Sequence, residues 1–385
     1  MLTVNAKIFK AYDIRGVYGQ DLDDAFAYQL GLAFVALRKI DPDYQPAEPL
    51  CIAVGSDMRL SSPSLKAELI RGLVAGGAEA VDLGQVATST LYFAVGHYGY
   101  QGGIMISASH NPKEWNGFKL VRAQGRPVSG ETGLIWMRNE IQAGRLVPSE
   151  KPGIVSKNDS ALRDEVAYTL TFASPGKIRP LKIVADAANG MGASYLTPLL
   201  SALPIKLIPL NFIPDGNFPA HEADPLKEEN MRQLQDAVLA EGADLGIATD
   251  GDGDRVFFAD NLGRTINPAI IRGWLSELFL TLKPQSRIGY DARPGKITVD
   301  LIQAAGGEPV ITRVGHSLIK EQMLKEDIYF AGESSGHFFL KGAAGCFEYP
   351  GIMIIKLLEY FSSLKGDIAS HLAPYQKYFH SGEIN

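Results

Sequence analysis

A strand that closes on an acid, a helix and a second strand recur three times along this chain, and that recurrence limits the fold more than any other feature. Cys51-Ile52-Ala53-Val54-Gly55-Ser56-Asp57 reads as a buried strand ending in a carboxylate, followed by a helical pattern over 64–75 and a strand at Ala80-Val81-Asp82-Leu83. The same order returns at 182–186, 193–202 and 206–210, and again at 287–291, 297–305 and 309–312. Strand, helix, strand with short Gly-rich turns is a βαβ unit, normally a right-handed crossover in a parallel or mixed sheet. The predicted fold class is therefore α/β: three tandem related domains with mixed sheets around a shared active-site cleft.

Each copy is followed by another short apolar strand that runs into a small polar loop. Gly103-Ile104-Met105-Ile106 opens onto Ser109, Asp244-Leu245-Gly246-Ile247-Ala248 opens onto Asp250, and Ile328-Tyr329-Phe330-Ala331 opens onto Gly332-Glu333-Ser334-Ser335-Gly336-His337. Open α/β sheets bind ligands beyond the carboxyl ends of their strands, so three different loops at equivalent strand ends point to one cleft. The 385 residues suffice for two to three domains, at about 150 residues each. The boundaries predicted are 1–150 with the Ser109 loop, 151–259 with the carboxylate loop, 260–370 with the Glu333 loop, and a remainder at 371–385. The polar segment 144–157, which holds Pro148 and Pro152, is the expected first linker, and the second is expected near 260–267.

Composition excludes several partners. Apolar residues at 46% and charged residues at 21% suit a globular protein with sizeable cores. A net charge of −6 with no basic stripe argues against nucleic acid. No apolar run reaches the ~20 residues of a membrane span, and Met1-Leu2-Thr3-Val4-Asn5-Ala6-Lys7 lacks the apolar stretch of a signal peptide. Cys51 and Cys346 are too few for a disulfide framework and read as reduced thiols. A cytoplasmic monomer without membrane or nucleic-acid partners is expected.

Asp250-Gly251-Asp252-Gly253-Asp254-Arg255 places three carboxylates at alternate positions. An EF-hand would need Gly at its sixth position and Glu at its twelfth, where this chain has Arg255 and Asn261. A solvated acidic turn is the bland alternative. Against it, the alternate glycines leave room for the acids to fold inward on one hard cation. With a phosphate oxygen they form an all-oxygen set that suits Mg²⁺ rather than Zn²⁺. Arg255 beside them could grip an anionic phosphate bidentately. Ser109, in Ile106-Ser107-Ala108-Ser109-His110-Asn111-Pro112, offers a hydroxyl at a strand end. A turn-shaping serine is its bland reading. His110 invites a Ser-His hydrolase reading, but adjacent loop residues are expected to point apart and no Gly-x-Ser-x-Gly elbow is present. Asn111 could orient the serine loop and Pro112 stiffen it. A hydroxyl able to carry phosphate beside an oxygen-lined cation site is the equipment of phosphoryl transfer.

These loops resemble those of the α-D-phosphohexomutase superfamily, phosphomannomutase/phosphoglucomutase type. Ser107 to Pro112 match its phosphoserine loop, Asp250 to Arg255 its metal loop, and Gly332 to His337 its sugar loop. Further matches are Tyr12-Asp13-Ile14-Arg15-Gly16, Asn116-Gly117-Phe118-Lys119, Pro214-Asp215-Gly216-Asn217-Phe218-Pro219 and Thr312-Arg313-Val314-Gly315-His316-Ser317, in family order over nearly the whole chain. The resemblance implies interconversion of hexose 1-phosphate and hexose 6-phosphate, of mannose or glucose. Phosphorylated Ser109 would exchange phosphate with a bisphosphorylated sugar, glucose 1,6-bisphosphate or mannose 1,6-bisphosphate. Mg²⁺ would be held by Asp250, Asp252, Asp254 and the Ser109 phosphate. Arg15, Lys119 and Arg255 would stabilise the transferring group. Glu333 and Ser335 would hold vicinal sugar hydroxyls. His337, ahead of His316, would be the general acid/base. Tyr12, Asn111 and Arg293 would join the substrate-binding residues, Arg293 standing where relatives often have lysine.

The family has a smaller fourth domain with an Arg-x-Ser-Asn-Thr phosphate loop that nothing here matches, and Ser381-Gly382-Glu383-Ile384-Asn385 looks like the entrance to it. Two alternatives accompany the main reading. One is a phosphoglucosamine mutase, because the sugar loop does not read C2. The other is a shortened phosphosugar-binding protein without full turnover.

Overall fold

The computed structural model describes residues 5–45, 49–293 and 295–378. Its central strands, Cys51–Ser56, Gly102–Ile106, Leu181–Asp186 and Leu245–Thr249, form where the sequence runs largely apolar and are buried almost throughout, as parallel strands covered on both faces must be. The first sheet contains β1 (Ile14–Val17), β2 (Cys51–Ser56), β3 (Glu79–Gln85), β4 (Gly102–Ile106), β5 (Trp115–Arg122) and β6 (Val155–Lys157), in the order β1-β5-β4-β2-β3-β6. The second contains β7 (Leu181–Asp186), β8 (Ile205–Leu210), β9 (Leu245–Thr249) and β10 (Val256–Ala259), in the order β10-β9-β7-β8. The third contains β11 (Arg287–Asp291), β12 (Glu308–Thr312), β13 (Ile328–Gly332), β14 (Phe338–Gly342) and β15 (Gly345–Glu348), in the order β12-β11-β13-β14-β15.

One four-strand core underlies all three sheets. β3-β2-β4-β5, β8-β7-β9-β10 and β12-β11-β13-β14 share a topology in which the first three strands are parallel and the fourth is antiparallel. The recurrence read in the sequence is thus a repeat of structure. The helices between the first two strands of each core, Ser62–Ala75, Gly192–Ser201 and Lys296–Ala304, fall where the periodicity puts them. In every copy the loop joining the third and fourth core strands holds the candidate site residues: Ser109, Asp250 to Arg255, and Glu333 to His337.

The first linker requires a correction. Val155–Lys157 lies inside the expected 144–157 connection and outside the expected first domain, yet it forms β6 and pairs in parallel with β3, Ala80 opposite Val155. The amide of Ala80 donates to the carbonyl of Ile154 at 2.9 Å. Backbone bonds rather than buried side chains hold this edge, and Val155 is 55% exposed. No hydrophobic period marks it in the sequence. The tail reading at 381–385 lies outside the described residues.

A single apolar cluster joins the domains through the helix Thr88–His97, whose residues from Thr88 to Val95 are all buried. Its Tyr92 packs on Phe347 of the third domain, ring centroids 6.0 Å apart. Gly96 meets Ala344 so closely that an added Cβ would lie 1.5 Å from the Ala344 carbonyl oxygen. Any side chain there would wedge the first and third domains apart. Truncating a fully buried residue such as Leu91 to alanine would cost about 2–5 kcal/mol. The core therefore fixes the mutual placement of the three loops as well as each domain.

Candidate active site

The β4–β5 loop brings Ser109 to a fully buried position against the β9–β10 loop. Ser109 has φ 53°, the left-handed region that side chains rarely occupy. Its Oγ donates to Asp250 Oδ2 at 2.8 Å, and its amide donates to Ser107 Oγ at 2.9 Å. The same backbone turn overturns one expectation. His110 does not point away: its Nδ1 lies 3.2 Å from Ser109 Oγ. The hydrolase reading still gains nothing, because burial and the nearby Arg255 and Arg15 push the His110 pKa down to about 2. A ring so reluctant to be protonated is a poor base.

Asp250, Asp252 and Asp254 are buried, and one carboxylate oxygen from each lies within 4.8 Å of the others. Burial, then the charges of Asp252 and Asp254, raises the Asp250 pKa to about 7. Lys119, on β5, donates to Asp252 Oδ2 at 2.6 Å and Asp254 Oδ2 at 2.5 Å. Burial works against its charge, but those two carboxylates outweigh it and hold its pKa well above the ordinary value. Asp252 Oδ1 is buried without a hydrogen-bond partner, and Asp254 Oδ1 has only the His337 ring beside it, at 3.3 Å. An orphaned carboxylate oxygen is costly unless something meets it. Three convergent carboxylates with one such atom fit one hard divalent cation.

The β13–β14 loop closes the other side. Glu333 Oε2 accepts from Ser335 Oγ at 2.6 Å and lies 3.0 Å from His337 Nδ1, while Glu333 Oε1 accepts from the Gly315 amide at 3.0 Å. Burial opposes ionisation of Glu333, but His337, Ser335 and Arg293 prevail and lower its pKa to about 2. His337 Nε2 is 3.3 Å from Asp254 Oδ1. Burial and Arg255 oppose protonation of that ring, yet Asp254 and Glu333 raise its pKa to about 9. His337 thus bridges the Glu333 loop and the carboxylate loop. His316 stacks on it at 6.1 Å and meets Tyr12 edge-on at 5.0 Å. Its two ring nitrogens are buried without a hydrogen-bond partner, and burial, with Lys320 and Lys119, holds its pKa well below normal. Arg15 donates to Asp13 Oδ2 at 2.6 Å and to Asn111 Oδ1 at 2.7 Å, which ties Asn111 to the first strand rather than leaving it free. Arg255 turns toward Asp250 and His337, at 3.6 and 3.4 Å. Arg293 Nη2 reaches Glu333 Oε1 at 3.0 Å with its side chain 40% exposed.

Three family models match in sequence order: phosphoglucomutase/phosphomannomutase alpha/beta/alpha domain I over residues 6–142, domain II over 164–263 and domain III over 269–378. The chain belongs to the phosphoglucomutase/phosphomannomutase family. A phosphomannomutase of Escherichia coli K12 is 37% identical over 98% of this chain and 82% of its own length. The crystal structure of a Burkholderia thailandensis phosphoglucomutase/phosphomannomutase family protein superposes with TM-score 0.88 at 32% identity, over 97% of this chain and 80% of that one. A putative phosphomannomutase from Thermus thermophilus gives TM-score 0.82 at 25% identity, over 95% of this chain and 82% of that one. The activity is that of a phosphohexose mutase, an isomerase.

Sequence reasoning missed several residues of this candidate site. Thr88 caps Asp252 from the joining helix, its hydroxyl donating to Asp252 Oδ2 and its amide to the Asp252 carbonyl at 3.0 Å. Lys320 and Glu348 form a buried ion pair at 3.0 Å behind His316. Arg272 and Asp291 form another beneath the sugar loop. Arg59 lies under the Ser109 loop, fully buried. None sits in a loop with an obvious chemical signature. The one available sign was Asp57-Met58-Arg59, which repeats the Asp-x-Arg spacing of Asp13-Ile14-Arg15 and Asp291-Ala292-Arg293.

Proposed function

We propose that the enzyme interconverts hexose 1-phosphates and hexose 6-phosphates, of mannose and glucose, by carrying phosphate on Ser109 through a bisphosphorylated sugar. The observation that carries this is the 2.8 Å contact of Ser109 Oγ with Asp250, inside a carboxylate cluster in which Asp252 Oδ1 is unpaired. Asp250, Asp252 and Asp254 would hold Mg²⁺ with the Ser109 phosphate, and the cation would supply charge neutralisation to the transferring phosphoryl group. Lys119 adds fixed positive charge at the same point, and Arg15 and Arg255 flank it. Preorganised charge of this kind is the main lever in phosphoryl transfer.

Glu333 and Ser335 bind vicinal sugar hydroxyls, a carboxylate being able to accept two hydrogen bonds at once. Transfer from the sugar breaks the bond between phosphorus and the sugar oxygen and forms one to Ser109 Oγ, whose proton passes to Asp250 Oδ2, the carboxylate it already faces at 2.8 Å. His337, between Asp254 and Glu333, delivers a proton to the departing sugar oxygen and recovers it in the reverse step. Unpaired His316 is the second ring within reach. Arg293, Tyr12 and Asn111 line the substrate side. Glucose 1,6-bisphosphate or mannose 1,6-bisphosphate primes Ser109. All three loops come from one chain, which supports a monomer. The two thiols, Cys51 and Cys346, are unpaired, which supports a reducing, cytoplasmic setting.

The test is a coupled assay with mannose 1-phosphate, glucose 1-phosphate and glucosamine 1-phosphate in parallel, each primed by its 1,6-bisphosphate, with and without chelator. Turnover of the first two, abolished by chelation, is expected. Preference for glucosamine 1-phosphate would replace the substrate class, and turnover indifferent to chelator would refute the role of the aspartates.

A further inference from the structure

The Arg59 guanidinium has five N–H donors, and all five are spent inside the protein. Nε donates to Asp57 Oδ2 at 3.1 Å. Nη1 donates to the carbonyls of Pro112 at 2.6 Å and Trp115 at 2.9 Å. Nη2 donates to the carbonyls of Ser109 at 2.9 Å and Asn111 at 2.6 Å. The side chain is 0% exposed. Asp57 is itself fixed, its Oδ1 accepting from the Arg59 amide at 3.0 Å and Ser62 Oγ at 2.7 Å.

Three of the four carbonyls belong to the loop that bears Ser109 and the fourth, Trp115, opens β5; the Ser109 φ of 53° needs an external scaffold because serine gains nothing from that backbone by itself. One of them is the carbonyl of Ser109. Rotating that peptide out of the left-handed state would strand a buried donor, so the guanidinium and the strained turn hold each other. The planar fork is essential to this geometry. A lysine ammonium has three donors at one point and cannot span four carbonyls and a carboxylate.

Domain 2 covers the arrangement. The Phe218 ring lies 5.2 Å from the Arg59 guanidinium carbon. Phe218 follows Gly216, where an added Cβ would fall 2.7 Å from the Met58 carbonyl oxygen and 2.8 Å from Arg59 Cα. The 214–219 loop therefore closes directly on the turn that bears Arg59. We propose that Arg59 is a positioning residue for phosphoryl transfer: it fixes where Ser109 Oγ sits against Asp250 without touching sugar or phosphate, and Phe218 of domain 2 seals it. This inference rests on Ser109 as the carrier.

The full chain is tested with glucose 1,6-bisphosphate and Mg²⁺, following single-turnover phosphorylation of Ser109, and in steady state with glucose 1-phosphate. In Arg59→Lys the transfer rate constant per folded molecule falls at least about thirtyfold, about 2 kcal/mol of barrier, while KM stays within about twofold. A purely structural role would lower the melting temperature and leave that rate constant alone. Should Arg59→Lys fail to fold, Phe218→Leu keeps the five bonds and removes the ring. It is expected to slow the same step about two- to fivefold at unchanged KM, in line with a lost cation–π contact. A wild-type rate constant in folded Arg59→Lys overturns the proposal, as does a raised KM with unchanged rate; where Arg59→Lys is unfolded, a wild-type rate in Phe218→Leu does so. If wild-type Ser109 takes no phosphate, the carrier reading itself fails and this inference falls with it.

Discussion

Arg59 in the first domain and Arg293 in the third stand at the same place in the repeat, two residues after the acid that closes the first core strand. Both begin alike: Nε donates to the motif's own aspartate, Asp57 at 3.1 Å and Asp291 at 2.7 Å. They then diverge. Arg59 is sealed and spends its remaining donors on backbone carbonyls beneath Ser109. Arg293 is 40% exposed and reaches the sugar-loop carboxylate of Glu333. The second domain has alanines after its acid, Asp186, which pairs instead with His221 at 2.9 Å. One position in one topology thus holds a sealed arginine, a partly exposed arginine or, at Ala188, no charge at all. Burial separates the two arginines: a sealed guanidinium must be satisfied by the protein, whereas an exposed one can answer to substrate.

The largest expected effect breaks the comparison on stability. Arg59→Met leaves Asp57 buried and unpaired, and should cost about 3–5 kcal/mol, whereas Arg293→Met should cost below about 1 kcal/mol. Chemical denaturation of the two variants beside wild type measures the difference, and equal losses would mean that the two arginines do the same work. A smaller effect sharpens the comparison on binding. Arg293→Met should raise KM for glucose 1-phosphate about three- to tenfold at low salt and flatten its rise with ionic strength, because an exposed charge is screened. A salt dependence unchanged from wild type would remove Arg293 from the substrate side.

The smallest effect belongs to the second domain. The hydrogen bond to Asp186 raises the His221 pKa against the opposing effect of burial. A raised folded-state pKa stabilises fully below the unfolded value, about 6.5, and the gain is lost as pH climbs through the folded-state value. His221→Gln should therefore cost below about 1 kcal/mol near pH 6, and less near pH 9. A cost that grows with pH would reverse the assignment of charge to this pair.

The three chemical loops were legible because each is contiguous. Ser107 to Pro112, Asp250 to Arg255 and Gly332 to His337 carry their side chains within six residues, at the end of an apolar strand. The central strands β2, β4, β7 and β9 were legible for the same reason, being almost continuously buried runs. What escaped depends on distant partners. Arg59 meets carbonyls at Ser109 and beyond, and Thr88 meets Asp252, contacts that no local pattern encodes. β6 escaped because backbone pairing and one Ser156–Glu79 hydrogen bond, rather than an apolar pattern, define Val155–Lys157. The approach of His110 to Ser109 was misjudged because a left-handed serine is not written in side-chain chemistry.

The central claim is that three loops from three related domains form one phosphoryl-transfer centre on Ser109. The most direct measurement is peptide mapping by mass spectrometry after incubation with glucose 1,6-bisphosphate and Mg²⁺, for wild type and Asp252→Asn. The account predicts a single phosphate on Ser109 in wild type. It predicts Ser109 unmodified in the variant, which remains folded because Lys119 keeps its bond to Asp254 Oδ2 and one of three crowded buried carboxylates loses its charge. Stable phosphate at another residue with Ser109 bare, or full labelling of Ser109 in the Asp252→Asn variant, would contradict it.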